Sequence, residues 1–360
     1  GYPLYTMPSS RCHPRYLWVA LLILIALLTA SCYPDNPQST FDTSGPVAQS
    51  QLVLFYWIFW AAVFVFILVG GILMYTTIKF RRRPGDPDPP QTHGNTPLEI
   101  GWTIAPTLIL AIVAVPTVIT IFDNLNSPDP EALTVDVIGH QWWFEFRYPH
   151  PDGESTIVSA NELHIPVGEV VNITLDSKDV LHSFWIPKLA GKVDLVPGNK
   201  NRMWIQADKA GEYRGQCAEF CGVAHALMRF RVFAKPRSDF DEWLAAEASQ
   251  AEDPIEPLAQ QGKALFEGNK AQCWSCHTVG GSSKSRGQVG PSLTHVSSRS
   301  QLAAGVIENT QQNLRQWIES PQSIKQGTIM FRDAKIYSDP NRKLSDAELS
   351  ALVAYIQTLK

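Results

Sequence analysis

The chain has 360 residues, 45% of them hydrophobic and 18% charged, with six cysteines and a formal net charge of −4. That length suits two or three domains, and the mild acidic balance excludes a basic protein built to bind nucleic acid. No internal repeat or low-complexity tract interrupts it.

In chain order, the first signal is Leu17 to Ala30, an apolar stretch behind Arg11 and Arg15 that is too short to span a bilayer comfortably. It ends at Leu28-Thr29-Ala30-Ser31-Cys32. Small residues before a cysteine read as a secretory leader over 1–32 with Cys32 as a lipidation site; the other reading is an uncleaved membrane segment. Two longer apolar runs follow, Gln51 to Thr77 and Glu99 to Phe122, the second carrying Pro106 and Pro116, which membrane helices tolerate. Between them lies Lys79-Phe80-Arg81-Arg82-Arg83. Such a basic loop faces the cytoplasm, so 33–130 reads as a transmembrane hairpin in a bacterial cell membrane, with everything after it outside. Glu99 opens the second helix at its cytoplasmic end, where a carboxylate suits the helix dipole.

From Leu133 to Phe233 the pattern is strand-like. Leu133 to Val137 alternates, Val170 to Leu175 is β-branched, and Met228 to Phe233 alternates again. Several short strands predict an all-β sandwich or barrel over 131–235. An acidic, alanine-rich connector with Pro254 and Pro257 reads as a linker over 236–257. The segment 258–360 is helical, and Leu349, Leu352, Val353, Ile356 and Leu359 share one face of its last helix.

Four of the six cysteines form two close pairs, Cys217 with Cys221 and Cys273 with Cys276, spacings that belong to metals or cofactors more often than to structural bridges. Cys217-Ala-Glu219-Phe-Cys221 runs on to His225 and Met228, and His182 lies upstream in Leu181-His182-Ser183-Phe184-Trp185. Thiolate, imidazole and thioether together are a soft ligand set that favours copper over calcium, magnesium or manganese. A mononuclear blue-copper site needs one cysteine; two on one loop can bridge two metal ions. A disulfide or a structural zinc site would leave Met228 without a purpose, and a thioredoxin-type copper carrier would need alternating strands and helices.

On these residues, together with Gly139-His140-Gln141-Trp142-Trp143 and His182-Ser183-Phe184, the stretch from Gln51 to Phe233 resembles the CuA subunit, subunit II, of cytochrome c oxidase, whose outer domain is a cupredoxin. The resemblance implies a binuclear copper centre with Cys217 and Cys221 as bridges, His182 and His225 as caps, Met228 as a weak sulfur ligand and Glu219 as a ligand through its carbonyl. It also implies that the Glu219 side chain reaches a magnesium ion at the boundary with the catalytic subunit. Trp142 resembles the family's surface tryptophan at the point of electron entry, against the reading of a core aromatic. Glu99-Ile-Gly-Trp102-Thr103 with Pro106 resembles the segment whose acid stands at the mouth of a proton channel.

Cys273-Trp-Ser-Cys276-His277 is the attachment signature of haem c: two thioether bonds and an axial histidine. Met330 is the one methionine of this region and supplies the second axial ligand, a pairing that raises the reduction potential. The segment from Leu258 resembles a small class I cytochrome c. His295 is the competing ligand.

Copper and haem on one anchored chain make a relay, resembling the oxidase type in which a cytochrome c domain is fused to subunit II. Electrons would come from a soluble cytochrome c, a blue-copper protein or a quinol-oxidising complex. They would leave for the catalytic haem-copper subunit I, assembled with the other oxidase subunits, where oxygen is reduced to water with proton pumping. This chain carries no oxygen-reducing site of its own. Two other readings are the entry subunit of a copper-containing nitric oxide reductase, and a copper-delivery or free-standing electron carrier. Asp123 to Lys235 holds 11 basic and 15 acidic residues, against 12 basic and 7 acidic from Leu258 onward, so opposite charges are expected to draw the two outer domains together.

Overall fold

The structure is a computed structural model that describes residues 36–360 except 92, 151 and 154, together with 19 and 22–24. The leader and Cys32 lie outside the described residues. Two apolar helices come first among the described elements, α1 (Pro46–Lys79) and α2 (Thr96–Leu125), packed against one another and touching the β domain at one end, with their apolar middles exposed. At 1.5 Å per residue the 34 residues of α1 reach about 50 Å, longer than the apolar run alone. The added turns at its start are not membrane-facing: Val47 and Ala48 are buried, Val47 in the core of the β domain, and Ala48 N–H donates to Leu189 O at 3.1 Å. Ser50 Oγ donates to Asn124 Oδ1 at 2.9 Å, tying the start of α1 to the end of α2. The basic loop is therefore at the far end of the hairpin from the β domain.

The β domain is a sandwich of two five-stranded sheets. One contains β1 (Thr134–His140), β2 (Trp143–Pro149), β3 (Thr156–Ala160), β5 (Val171–Ser177) and β8 (Asn201–Ile205), in the order β3-β2-β1-β5-β8. The other contains β4 (Glu162–Pro166), β6 (His182–Trp185), β7 (Val193–Leu195), β9 (Gly211–Cys217) and β10 (Arg229–Lys235), in the order β4-β10-β9-β6-β7. Pairings β1–β5 and β4–β10 are parallel and the rest antiparallel. Alternating inward residues meet between the sheets. Phe184 stacks on Phe230 at 4.6 Å, and Phe144 meets Phe230 edge-on at 5.0 Å.

The segment expected as a linker is structured. Helix α3 (Arg237–Glu247) lays Phe240, Trp243 and Leu244 on the sandwich; Phe240 is fully buried, and Trp243 stacks on His164 at 3.9 Å. An i, i+3, i+4 apolar stripe among acidic residues is enough to seat a helix, and average composition conceals it.

The C-terminal domain is helical: α4 (Pro257–Phe266), α5 (Gln311–Glu319), the short α6 (Pro321–Ile324), α7 (Ile329–Asp333) and α8 (Lys335–Ser338), and α9 (Asp346–Ile356), with a small β11 (Gln301–Leu302) and β12 (Ile307–Glu308) ribbon. Helix α9 begins with a reciprocal capping box between Ser345 and Glu348. Its face Leu349, Leu352, Val353, Ile356 and Leu359 is buried as the periodicity predicts. Helices α4 and α9 cross at Gly262, where a Cβ would stand 2.0 Å from Ala351 O, beside the edge-on pair Phe266 and Tyr355. Backbone cannot yield as a side-chain tip can, so Gly262→Ala is expected to destabilise this domain by about 3 kcal/mol. Thermal denaturation followed through the haem absorption checks this; an unchanged midpoint would mean that the crossing is looser than described.

Candidate metal centre and cofactor crevice

Strands β9 and β10 are joined by the loop that carries Cys217 to Met228, and β6 runs beside β9 with its first residue, His182, alongside. Antiparallel pairing thus brings a histidine 35 positions away in sequence to the loop. Cys217 Sγ lies 3.7 Å from Cys221 Sγ. A disulfide would require about 2.05 Å, so these are two free thiols. His182 Nδ1 is 3.9 Å from Cys217 Sγ, and His225 Nδ1 is 3.6 Å from Cys221 Sγ. Met228 Sδ stands 3.8 Å from Cys221 Sγ, and Cys217 Sγ lies 3.3 Å from Glu219 O. Each thiol has its own imidazole, and all six groups named from the sequence meet at one place. His182, Cys217, Cys221 and Met228 are buried; Glu219 and His225 are partly exposed.

The electrostatics suit a soft cation. The Cys221 thiol donating to Cys217, reinforced by His182, outweighs burial and holds Cys217 well below the usual thiol range. Cys221 is pushed up, because it supplies that hydrogen bond and would place a second charge in a buried site. One proton is thus shared where a metal would replace it. His182 Nε2 bonds Asp179 Oδ1 at 2.8 Å, which turns Nδ1 toward the thiols. Burial favours the neutral acid, but bonds from His182, Val180 N–H and Gln141 N–H outweigh it and keep Asp179 below its usual range. Asp179 was not singled out in the sequence; its place three residues before His182 was the available signal.

Cys273, Cys276, His277 and Met330 all line one large crevice in the helical domain. His277 Nδ1 donates to Pro291 O at 2.8 Å, leaving Nε2 for a ligand, and burial holds the ring's pKa below its usual value, in the neutral form that binds metals. Burial also pushes the Cys273 thiol up to about 12. Arg299 Nε is buried at the crevice wall without a partner, a donor left over for an anionic group. Two thiols, a free imidazole nitrogen, a thioether and a guanidinium that is anchored on Ser292 O at 2.7 Å with its Nε left over fit a haem with its acid substituents. His295 does not compete, since its two ring nitrogens are 2.8 Å from Lys360 O and 3.0 Å from Ser249 O.

The crevice wall is completed by the β domain, through Gln141, Trp142, Trp143 and Asn161. Trp142, expected at a surface, is 7% exposed: it packs into the core of the β domain, the other reading of this residue, and also lines the crevice. Its Nε1 donates to Cys221 O at 2.9 Å, and Gln141 Nε2 to the same oxygen at 2.8 Å. Among the described residues no close ion pair crosses between the domains, although the buried Glu162 carboxylate attracts the buried Arg299 guanidinium across the contact. The crossing bonds include Glu162 Oε1 accepting from Ser300 N–H and Oγ–H at 2.7 and 2.6 Å and from Gln301 N–H at 3.2 Å, Arg229 N–H to Ala304 O at 3.1 Å, and Lys325 Nζ to Trp142 O at 2.6 Å. Charge totals do not reveal which charges lie at the contact. Glu99 is exposed at the start of α2, remote from both sites, its helix capped by Asn95 accepting from Leu98 N–H.

Three family descriptions match in succession. These are the transmembrane domain of cytochrome c oxidase subunit II over residues 36–119, the periplasmic domain of the same subunit over 150–234, and cytochrome c over 259–360. Cytochrome c oxidase subunit 2 of Alkalihalophilus pseudofirmus is 39% identical over 94% of this chain and 96% of its own length. Its counterpart in Bacillus sp. strain PS3 is 37% identical over 95% and 96%. The periplasmic domain of subunit II of cytochrome oxidase from Bradyrhizobium japonicum is 28% identical over 34% of this chain and 96% of that structure, with a TM-score of 0.31. The matched domains imply copper in the β domain and haem in the helical one. With two relatives aligned over nearly their whole length and a cytochrome c domain following the copper domain, the chain belongs to the cytochrome c oxidase subunit II family.

Proposed function

We propose that this chain is the electron-entry subunit of its oxidase, taking electrons from an external donor through a haem c to a binuclear copper centre. From there they pass to the catalytic subunit, which reduces oxygen to water with coupled proton pumping. The observation that carries the reading is the shared wall: Trp142 lines the crevice of Cys273, Cys276 and His277 while its indole N–H holds Cys221 O.

When bound, haem and copper supply the one-electron carriers. Cys273 and Cys276 would hold the haem through thioethers, with His277 Nε2 and Met330 Sδ on the iron and Arg299 facing an acid substituent. Cys217 and Cys221 would bridge the coppers, His182 and His225 would cap them, and Met228 Sδ and Glu219 O would be the weaker ligands. The Glu219 carboxylate, partly exposed, is free to reach a magnesium ion shared with the catalytic subunit. Asp179 fixes the ring of His182, and Trp142 provides the bonded path between crevice and copper loop. The basic loop 79–83 marks the cytoplasmic side, so both outer domains face away from it, and Glu99 is on the side of proton uptake. The donor is a soluble cytochrome c, a blue-copper protein or a quinol-oxidising complex.

Metal analysis and paramagnetic resonance of the full chain in detergent test this reading. Two coppers and one iron per chain, with the multi-line signal of one electron shared by two coppers, are expected; one copper or none would remove the relay. Asp179→Asn frees the His182 ring and is expected to lower copper affinity roughly 10–100-fold in competition with a chelator, with haem content unchanged. Because buried hydrogen bonds join the domains, the internal transfer rate should vary by less than about twofold between low and high salt, where an exposed charge pair would be screened. A steep fall with salt would restore charge-driven docking.

A further inference from the structure

Lys325 lies five residues before Met330 and is only 4% exposed. Its Nζ donates to Trp142 O at 2.6 Å and to Ala303 O at 3.2 Å, and no carboxylate pairs with it among the described residues. An ammonium buried without a carboxylate partner is unfavourable, and burial, only partly offset by the nearby Cys221, lowers this one to about 7. Such a group persists where its position matters.

The surrounding contacts say what it positions. Gly327 has φ +78°, and a Cβ there would lie 3.0 Å from Val223 Cγ1, so the segment leading to Met330 rests on the copper loop itself. Ile329 packs against the core of the copper domain. Ala303 and Ala304 are both in the left-handed region, at φ 55° and 62°, a conformation that costs alanine energy. Their carbonyls accept from Lys325 Nζ and Arg229 N–H. Glu162 holds Ser300 and Gln301 separately, so the domains have a second attachment that does not involve Lys325.

We propose that Lys325 is a positioning residue for electron transfer: its ammonium pins the Met330 segment of the haem domain to the main-chain carbonyl of Trp142, and so fixes the haem crevice against the copper loop. This rests on the relay reading above. Removing the pin leaves the Trp142 carbonyl without its partner and frees the Met330 segment, while Glu162 keeps the domains together.

The test uses the assembled oxidase with wild-type, Lys325→Met and Lys325→Arg chains. Haem-to-copper transfer is followed after photochemical reduction of the haem, alongside the absorption band of methionine-ligated ferric haem and the copper resonance signal. Lys325→Met is expected to slow transfer about tenfold, the equivalent of one buried hydrogen bond, with both spectra unchanged; Lys325→Arg, which keeps charge and donors, should recover most of the rate. Wild-type transfer in Lys325→Met overturns the proposal, as does slow transfer accompanied by loss of the methionine band. Should Lys325→Met fail to assemble, Lys325→Gln decides, since it draws the side chain back from Trp142 O while keeping a polar group: slowed transfer with both spectra unchanged supports the pin and an unchanged rate overturns it. A wild-type oxidase holding both metals yet showing no internal transfer would sink the relay itself, a distinct result.

Discussion

Gln141 Nε2 and Trp142 Nε1 both donate to Cys221 O, at 2.8 and 2.9 Å, and the rest of the site depends on that shared acceptor. The two donors sit in the turn between β1 and β2, in the sheet opposite the one that carries the copper loop. A carbonyl in the middle of a ligand loop would otherwise be satisfied by water. Here it is fixed by a side chain whose other face lines the haem crevice. The loop cannot shift without disturbing the crevice wall, and the wall cannot shift without releasing the loop.

Ligand pre-orientation follows the same logic at both sites. His182 gives Nε2 to Asp179 and keeps Nδ1 for the thiols; His277 gives Nδ1 to Pro291 O and keeps Nε2 for the crevice. In each case one ring nitrogen is committed to an oxygen, so that the other can only face the metal. The thiol pair adds a second device. With one proton between them, Cys217 and Cys221 stand 3.7 Å apart without mutual repulsion of two thiolates, and the loop keeps both sulfurs facing one place. Little rearrangement is then needed when a cation takes the proton's place.

Much of this was legible in the sequence because it is local. Cys217, Cys221, His225 and Met228 fall within twelve residues, Cys273 to His277 within five, and the apolar runs and the stripe of α9 are periodic. What was not legible is non-local or masked by composition. Phe240, Trp243 and Leu244 sit in an acidic segment whose average reads as linker, though three apolar residues on one turn suffice for docking. Glu162 meets Ser300, and Lys325 meets Trp142, across separations of 138 and 183 residues. No spacing rule connects residues so distant, and a summed charge per domain weights exposed lysines equally with the one that is buried. Trp142 was read as a surface residue because that role was carried over by motif, and a motif does not show that the ring packs into the core of the β domain and lines the crevice of the helical one.

The tether explains why the contact can dispense with charge steering. Two free proteins must find one another, and long-range attraction raises the encounter rate. Two domains joined through α3 and a short connector are already at an effective concentration of order mM, so encounter is not limiting and the interface is free to be specific. Buried hydrogen bonds from Glu162, Arg229 and Lys325 fix one geometry, where complementary surface charge would permit many. The face of the β domain at Trp142 is thereby committed to the chain's own helical domain, through the shared crevice wall and the bond from Lys325.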